Sequence, residues 1–138
     1  MRVVPDTNVV TSALLWGGVP EQLIEAAGAG SLELFTSEAL IAELAGILGR
    51  AKFTAKLRQK NLSAAEIVAR YREIAETVEA APIEETVLRD PDDAAVLACA
   101  LAIRAEAIVS GDADLHALGS YQDIPVLSPA DCLKRIAA

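Results

Sequence analysis

Short apolar runs alternate with longer segments of helical periodicity along this chain. The runs predict strands at residues 2–4, 32–35, 83–88, 107–110 and 124–127. Apolar residues at helical spacing predict helices over 9–16, 20–28 or 20–30, 64–79, 93–105 and 114–118, one after a cap at Thr36 or Ser37, and a last one from 129 to the C-terminus. Strands that alternate with helices are typical of an α/β domain built around a parallel sheet.

The length and composition favour one globular domain. The chain has 138 residues, which suits a single domain over 1–138. Hydrophobic residues make up 53% of it, which excludes a disordered tail or linker. The net charge of −8 argues against a general nucleic-acid coat. It leaves open a nucleic-acid enzyme whose carboxylates hold metal ions, because bound cations cancel charge locally.

The two cysteines and the apolar runs bear on where the protein works. Cys99 and Cys132 favour free thiols in a reducing compartment, although a single disulfide stays conceivable. The longest uncharged run is 7–20, shorter than the roughly 20 apolar residues that a membrane helix needs. We therefore expect a cytoplasmic protein that has no membrane association.

Acidic residues follow the predicted strands. Asp6 comes after the strand 2–4, Asp112 comes after 107–110, and Asp114 lies on the same loop. Asp93 begins a helix whose preceding strand ends near Leu88. The carboxyl ends of parallel strands meet at one edge, which is where open α/β sheets place their sites. We therefore expect these carboxylates to lie close together.

Carboxylates so crowded cannot all ionise unaided, because neighbouring like charges raise one another's pKa. A divalent cation would neutralise them together, and an oxygen-only ligand set favours Mg²⁺ or Mn²⁺. The alternative is that each Asp is a turn former or helix N-cap. Glu43, on a mostly apolar helix, is either directed at the same site or solvated.

Four motifs carry a resemblance to a known family. They are Asp6-Thr7-Asn8 after a strand, Glu43 in SEALIAELAGIL, Arg89-Asp90-Pro91-Asp92-Asp93 before an Ala-rich helix, and Val109-Ser110-Gly111-Asp112-Ala113-Asp114-Leu115. Together, over residues 1 to about 133, they resemble a PIN-domain nuclease, and in particular the VapC-like toxin components of bacterial toxin–antitoxin systems.

The resemblance implies a three-layer α/β/α sandwich with a central, mostly parallel five-stranded sheet. It implies Mg²⁺- or Mn²⁺-dependent hydrolysis of RNA, a cognate antitoxin and a homodimer. The catalytic acids fall on Asp6, Glu43, Asp93 and Asp112, and the metal ligands on Asp6, Asp93, Asp112 and Asp114. Asn8 and Ser110 match the supporting polar positions.

Two further features of the sequence bear on this interpretation. Pro5 lies in a strand that should be central, so we expect it to sit where strand pairing has already ended. Arg50 and Lys52 open a basic stretch over 50–60 without acids, which would draw RNA phosphates or would simply be a solvated surface. For the dimer we expect the helices at 9–16 and 20–27 to form the interface, unless Trp16 packs on the core.

Other enzyme classes fit the sequence less well. Asp112-Ala113-Asp114 resembles the Asp-x-Asp of haloacid dehalogenase-type phosphatases, but that signature should open the chain. A serine or cysteine hydrolase needs a histidine partner, and His116 is the only candidate. The runner-up from another class is a non-catalytic PIN scaffold that binds RNA or a partner protein.

Overall fold

The fold alternates strands and helices, as the sequence predicts. The computed structural model describes residues 1–83 and 91–137, with side chains omitted at 91 and 92. Within these residues the strands are β1 (Arg2–Pro5), β2 (Glu33–Thr36), β3 (Glu76–Thr77), β4 (Ala107–Val109), β5 (Ser120–Tyr121) and β6 (Ile124–Leu127). The helices are α1 (Thr7–Leu15), α2 (Val19–Gly28), α3 (Glu38–Leu48), α4 (Ala51–Gln59), α5 (Ala64–Ile74), α6 (Pro91–Ile103), α7 (Ala113–Leu118) and α8 (Pro129–Ala137).

The described strands form one sheet in the order β3-β2-β1-β4-β6-β5. All neighbouring strands run parallel except β5, which pairs antiparallel with β6. The expectation of five strands is wrong, since the described part of the chain contributes six. Strands β1, β2 and β3 form one half of the sheet, and β4, β6 and β5 form the other half. The direction in which strands are added to the sheet therefore reverses between β1 and β4.

The additional strands are the shortest ones. The helix predicted over 64–79 ends at Ile74, and the next residues form β3 beside β2. A two-residue strand has no measurable hydrophobic period, so neither β3 nor β5 could be recognised from the pattern. Residues 84–88 of the predicted strand lie outside the described residues, as do residues 89 and 90 of the motif before Asp93. Helix α6 includes residues 91 and 92 and so begins before Asp93.

Pro5 is paired within β1, so the expectation that pairing has ended there is wrong. Its register partner is Val109, and the next amide, Asp6 N–H, donates to the Val109 carbonyl over 2.9 Å. Successive amides of a strand point in opposite directions, so the nitrogen of Pro5 faces β2. The β1–β2 register ends at Val3 with Leu34, and therefore the missing N–H interrupts no ladder there.

Helices cover both faces of the sheet, which confirms the three-layer sandwich. Val3 belongs to a core cluster with residues of α1, α2, α3 and α5, whereas the adjacent Val4 belongs to a second cluster with residues of α6. Side chains of consecutive strand residues point to opposite faces. Among the described helices, none is both long enough and apolar enough to cross a membrane.

Tyr71 on α5 provides a test of how the first cluster is packed. Its ring is buried, and its hydroxyl has no hydrogen-bond partner among the described residues. Because an unsatisfied buried hydroxyl costs free energy, Tyr71→Phe should leave the free energy of unfolding unchanged or raise it by up to about 1 kcal/mol. Ile67→Ala, one turn earlier on α5, should lower it by about 2–5 kcal/mol through the cavity it creates. Urea denaturation measures both, and a loss above about 1 kcal/mol in Tyr71→Phe would contradict the assignment.

Candidate active site

Two aspartates lie where β1 and β4 end, at the point where the strand order reverses. Asp6 directly follows β1 and Asp112 follows β4 by three residues. Each also caps a helix: Asp6 Oδ1 accepts from Val9 N–H over 2.9 Å, and Asp112 Oδ1 accepts from Asp114 N–H over 3.2 Å. The N-cap alternative therefore describes part of their role. Capping occupies one oxygen in each case and leaves the second oxygen of the carboxylate available for other contacts.

All four predicted acids line one cleft at this edge of the sheet. The cleft has a volume of about 410 Å³, and its lining includes Asp6, Glu43, Asp93 and Asp112. Asp6 and Asp93 are 6% and 8% exposed, so both carboxylates are largely removed from solvent. Carboxylates are rarely buried unless they are paired, hydrogen-bonded or bound to a cation. The cleft is therefore a place where a cation would relieve an electrostatic cost.

Helix α3 supplies Glu43 to the lining of the cleft. Leu40, Ile41, Leu44 and the two apolar residues of the last turn fix α3 in the core, and Ser37 Oγ caps it by accepting from Leu40 N–H over 3.3 Å. Glu43 is half-buried, and its Oε2 atom is not exposed to solvent. The interpretation of Glu43 as a wholly solvated residue is therefore wrong.

Three of the acids form a tighter cluster. One carboxylate oxygen from each of Asp93, Asp112 and Asp114 lies within 4.8 Å of the others. Among the described residues this set does not extend to Asp6 or Glu43, which share the cleft with two of its members. Asp114 is exposed and reaches the cluster from the rim.

The side chain of Ser110 is hydrogen-bonded to both Asp6 and Asp112. Its hydroxyl is fully buried, donates to Asp6 Oδ2 and accepts from Asp112 N–H over 2.9 Å. The carbonyl of Ser110 accepts a hydrogen bond from His116 Nε2 over 2.6 Å. One serine therefore sets the position of the acid at the end of β1 relative to the loop after β4.

Burial dominates the electrostatics of Asp6. Its removal from water raises its pKa above the usual value, and the nearby Asp112 charge raises the pKa further. The hydrogen bonds from Ser110 and Val9 oppose this effect, and so does the nearby His116. The net result is a carboxylate that is more easily protonated than a free aspartate, and a bound cation would reverse that shift.

The remaining predicted residues lie around this centre. Asn8 is exposed and lines the cleft, as does Arg50 at the start of α4. Lys52 lies in an adjoining groove instead of the cleft. His116 is exposed, and its Nε2 atom is hydrogen-bonded to the backbone carbonyl of Ser110.

One lining residue with a polar side chain, Thr7, was not predicted from the sequence to be a site residue. Thr7 is 4% exposed, lines the cleft, and its hydroxyl has no hydrogen-bond partner among the described residues. It lies between Asp6 and Asn8, at the first position of α1. Thr7 could have been identified from its position next to Asp6, because a residue that follows a strand-end aspartate lies at the same edge of the sheet.

The donor set fits a hard divalent cation. Among the described lining residues the possible ligands are carboxylate, amide and hydroxyl oxygens, without histidine or cysteine. Mg²⁺ and Mn²⁺ prefer oxygen ligands, whereas Zn²⁺ sites in proteins usually include imidazole or thiolate.

Comparison with known proteins agrees with this architecture. A family model described as "PIN domain" matches residues 2–114. A chain in the crystal structure of VapBC2 from Rickettsia felis, bound to a DNA fragment from their promoter, superposes with a TM-score of 0.62 at 12% identity, covering 93% of this chain and 98% of that one. The PIN domain of human SMG5 gives 0.49 at 18% identity, covering 98% of both chains. No curated protein sequence matches significantly.

The Ser110 hydroxyl should stabilise the ionised form of Asp6. Ser110→Ala should lower the free energy of unfolding by about 1–3 kcal/mol at pH 7, because it removes a hydrogen bond to a buried charged group. The loss should shrink as the pH falls and Asp6 becomes protonated, since the native pKa of Asp6 is raised and the deleted bond favours only the charged form. Ser110→Thr keeps the hydroxyl and serves as the control. Urea denaturation at several pH values measures the difference, and a loss that grows towards acid would contradict this assignment.

Proposed function

The chain belongs to the PIN domain family, and from that premise we propose that it is a metal-dependent endoribonuclease. It would hydrolyse RNA phosphodiester bonds as the toxin of a toxin–antitoxin pair. The observation that carries the proposal is the convergence of Asp6, Glu43, Asp93 and Asp112 on one cleft. We propose that residues 1–138 form a single PIN-like domain.

The proposed ligands are Asp6, Asp93, Asp112 and Asp114, with Mg²⁺ or Mn²⁺ as the cation. When bound, the cation would supply activation of a water nucleophile and neutralisation of charge on the scissile phosphate. Asp93 and Asp112 share both the cleft and the tight cluster, which makes them the central pair of the proposal. Asp114 would complete the set from the rim.

Other residues of the cleft would position the reactants. Glu43, on the α3 side, would orient or deprotonate the attacking water. Ser110 would hold Asp6 and Asp112 in register through its two hydrogen bonds. Asn8 and Arg50 line the open part of the cleft, where an amide and a guanidinium can contact phosphate oxygens. Arg50 would thus add a positive charge beside the four acids of the cleft.

The partners follow from the same proposal. The matched Rickettsia felis structure is of a complex, VapBC2, and this supports a cognate antitoxin as the protein partner of this chain. We further propose a cytoplasmic location and a homodimer that uses α1 and α2. A chain that failed to cleave RNA would instead be a PIN scaffold that binds RNA or a protein, and the two experiments below separate these functions.

The first experiment measures metal binding through stability. Mn²⁺ should raise the melting temperature, because a cation that binds only the folded state stabilises it by mass action. Asp6→Asn should raise the melting temperature of the metal-free protein at neutral pH, since ionisation of this buried group is unfavourable in the folded state. That gain should disappear below the usual pKa of aspartate.

Both Asp6→Asn and Asp112→Asn should remove most of the Mn²⁺ response. Asp131→Asn provides a control, since Asp131 lies in the first turn of α8 and has only a long ion pair with Lys134. Differential scanning calorimetry with and without a chelator gives all these values. A full Mn²⁺ response in both cleft variants would exclude the proposed ligand set.

The second experiment measures cleavage. Asp93→Asn keeps the size and shape of the side chain but removes a charge, so the fold should survive. Metal-dependent cleavage of a mixed RNA pool should fall by orders of magnitude, because the lost stabilisation of charge is worth several kcal/mol. A chelator should abolish cleavage by the unmodified protein.

Asp90→Asn and Asp92→Asn are the controls for Asp93→Asn. Both precede Asp93 in an Asp- and Pro-containing run that is typical of turn or cap residues, so each substitution should cost at most about 1–2 kcal/mol of stability and little activity. If Asp93→Asn retained full cleavage, the role proposed for Asp93 would be wrong. If Asp90→Asn alone abolished cleavage in a folded protein, the catalytic acid would have to be reassigned within this run.

A further inference from the structure

A second groove adjoins the acidic cleft. We call it the aromatic groove; it has a volume of about 290 Å³ and is lined by Asn8, Thr11, Ser12, Trp16, Lys52 and Phe53. Asn8 lines both the groove and the acidic cleft, so the two are continuous at this residue. Of these residues, the proposed cleavage chemistry uses only Asn8.

An exposed tryptophan forms one wall of the aromatic groove. Trp16, the only tryptophan of the chain, is 48% exposed and does not pack within the core. It contacts the buried Phe53 edge to face, with ring centroids 5.2 Å apart and planes at 80°. This contact fixes the indole while much of its surface stays open to solvent, which is the arrangement that a flat ligand can stack on.

Lysines surround the two rings. Lys56 Nζ lies 5.9 Å from the Trp16 ring centroid, and Lys52 Nζ lies 5.2 Å from that of Phe53. Both belong to α4, and the residues 50–60 contain five basic side chains and no acid in a chain of net charge −8. Five of the twelve basic residues of the chain therefore lie in this segment, and two of them lie against the aromatic rings.

Helix α1 sets the distance between the two sites. Asn8, Ser12 and Trp16 recur every four residues and therefore share one face of α1. Asn8 and Trp16 are about 12 Å apart along the helix axis. A strand of RNA that crosses the acidic cleft near Asn8 would reach Trp16 within a few nucleotides.

We propose that the aromatic groove binds single-stranded RNA by stacking one base on Trp16 while Lys52 and Lys56 contact the flanking phosphates. The proposal rests on the proposed function, since it places the rest of the substrate relative to the cleft. Aromatic stacking combined with positive charge is the general means by which proteins hold unpaired nucleotides. Protein–protein interface cores are depleted in lysine, so the chemistry of the groove favours RNA over a second copy of the chain. A homodimer would then use α2 and leave this face of α1 open.

The test uses Trp16 itself as the probe. A short single-stranded RNA of mixed sequence, added with a chelator present, should quench the tryptophan fluorescence to saturation. An RNA hairpin of the same length, whose bases are paired, should quench much less. Trp16→Ala should weaken binding of the single strand by at least about fivefold in fluorescence anisotropy with a labelled RNA, whereas Trp16→Phe should retain most of the affinity.

Charge variants test the lysines separately. Lys52→Gln and Lys56→Gln should each weaken binding and reduce its salt dependence, because each removes a phosphate contact. Lys134→Gln on α8 and Val19→Ala on α2 are matched controls, an exposed lysine and an exposed apolar residue that do not line the groove, and neither should change the affinity.

The outcomes separate this inference from the proposed nuclease function. Absence of quenching, or unchanged affinity in Trp16→Ala, would overturn the inference even if the protein cleaves RNA. Quenching by the single strand without any Mn²⁺-dependent cleavage would uphold the groove and reject the nuclease. If light scattering showed that Trp16→Ala dissociates a dimer while RNA affinity stays the same, the groove would be a subunit interface and the inference would be wrong.

Discussion

The buried hydroxyl of Ser110 is the contact that holds the candidate site together. β1 and β4 are neighbours at the point where the strand order reverses, and their carboxyl ends bring Asp6 and Asp112 to the same edge. Proximity alone would leave two carboxylates to repel each other. Ser110 donates to the Asp6 carboxylate and accepts from the Asp112 backbone, so that the acids keep a fixed relation without direct contact between their charges.

This arrangement of acids lowers the electrostatic stability of the folded protein. Asp6 is buried, its pKa is raised, and two further acids of the cleft come from α3 and α6, which pack over the sheet. Burial of aliphatic side chains on both faces of the sheet offsets this unfavourable free energy. A protein selected for stability alone would place the buried carboxylate of Asp6 in water.

Much of the fold and of the candidate site can be predicted from the sequence because the strongest signals are local. An aspartate that follows an apolar run marks a strand end, so Asp6 and Asp112 were placeable before the structure was known. Glu43 could not be placed on periodicity alone, since a half-buried residue of an amphipathic helix faces either solvent or a site, and only the packing of α3 decides between them. β3 and β5 are too short to produce a period. Helix α4 was visible only as a basic stretch, because its two buried residues, Phe53 and Leu57, give too weak an apolar pattern.

Charge distribution links the acidic cleft to the aromatic groove. A chain of net charge −8 repels RNA at long range, and the cleft, where four carboxylates meet, repels it most strongly. Arg50 lines that cleft and Lys52 of α4 lines the adjoining groove, so positive charge lies beside the acids. A polyanion would therefore approach along α4, and the exposed ring of Trp16 lies on this approach. Stacking requires an unpaired base, so the same surface that attracts RNA by charge would also select single-stranded segments from paired ones.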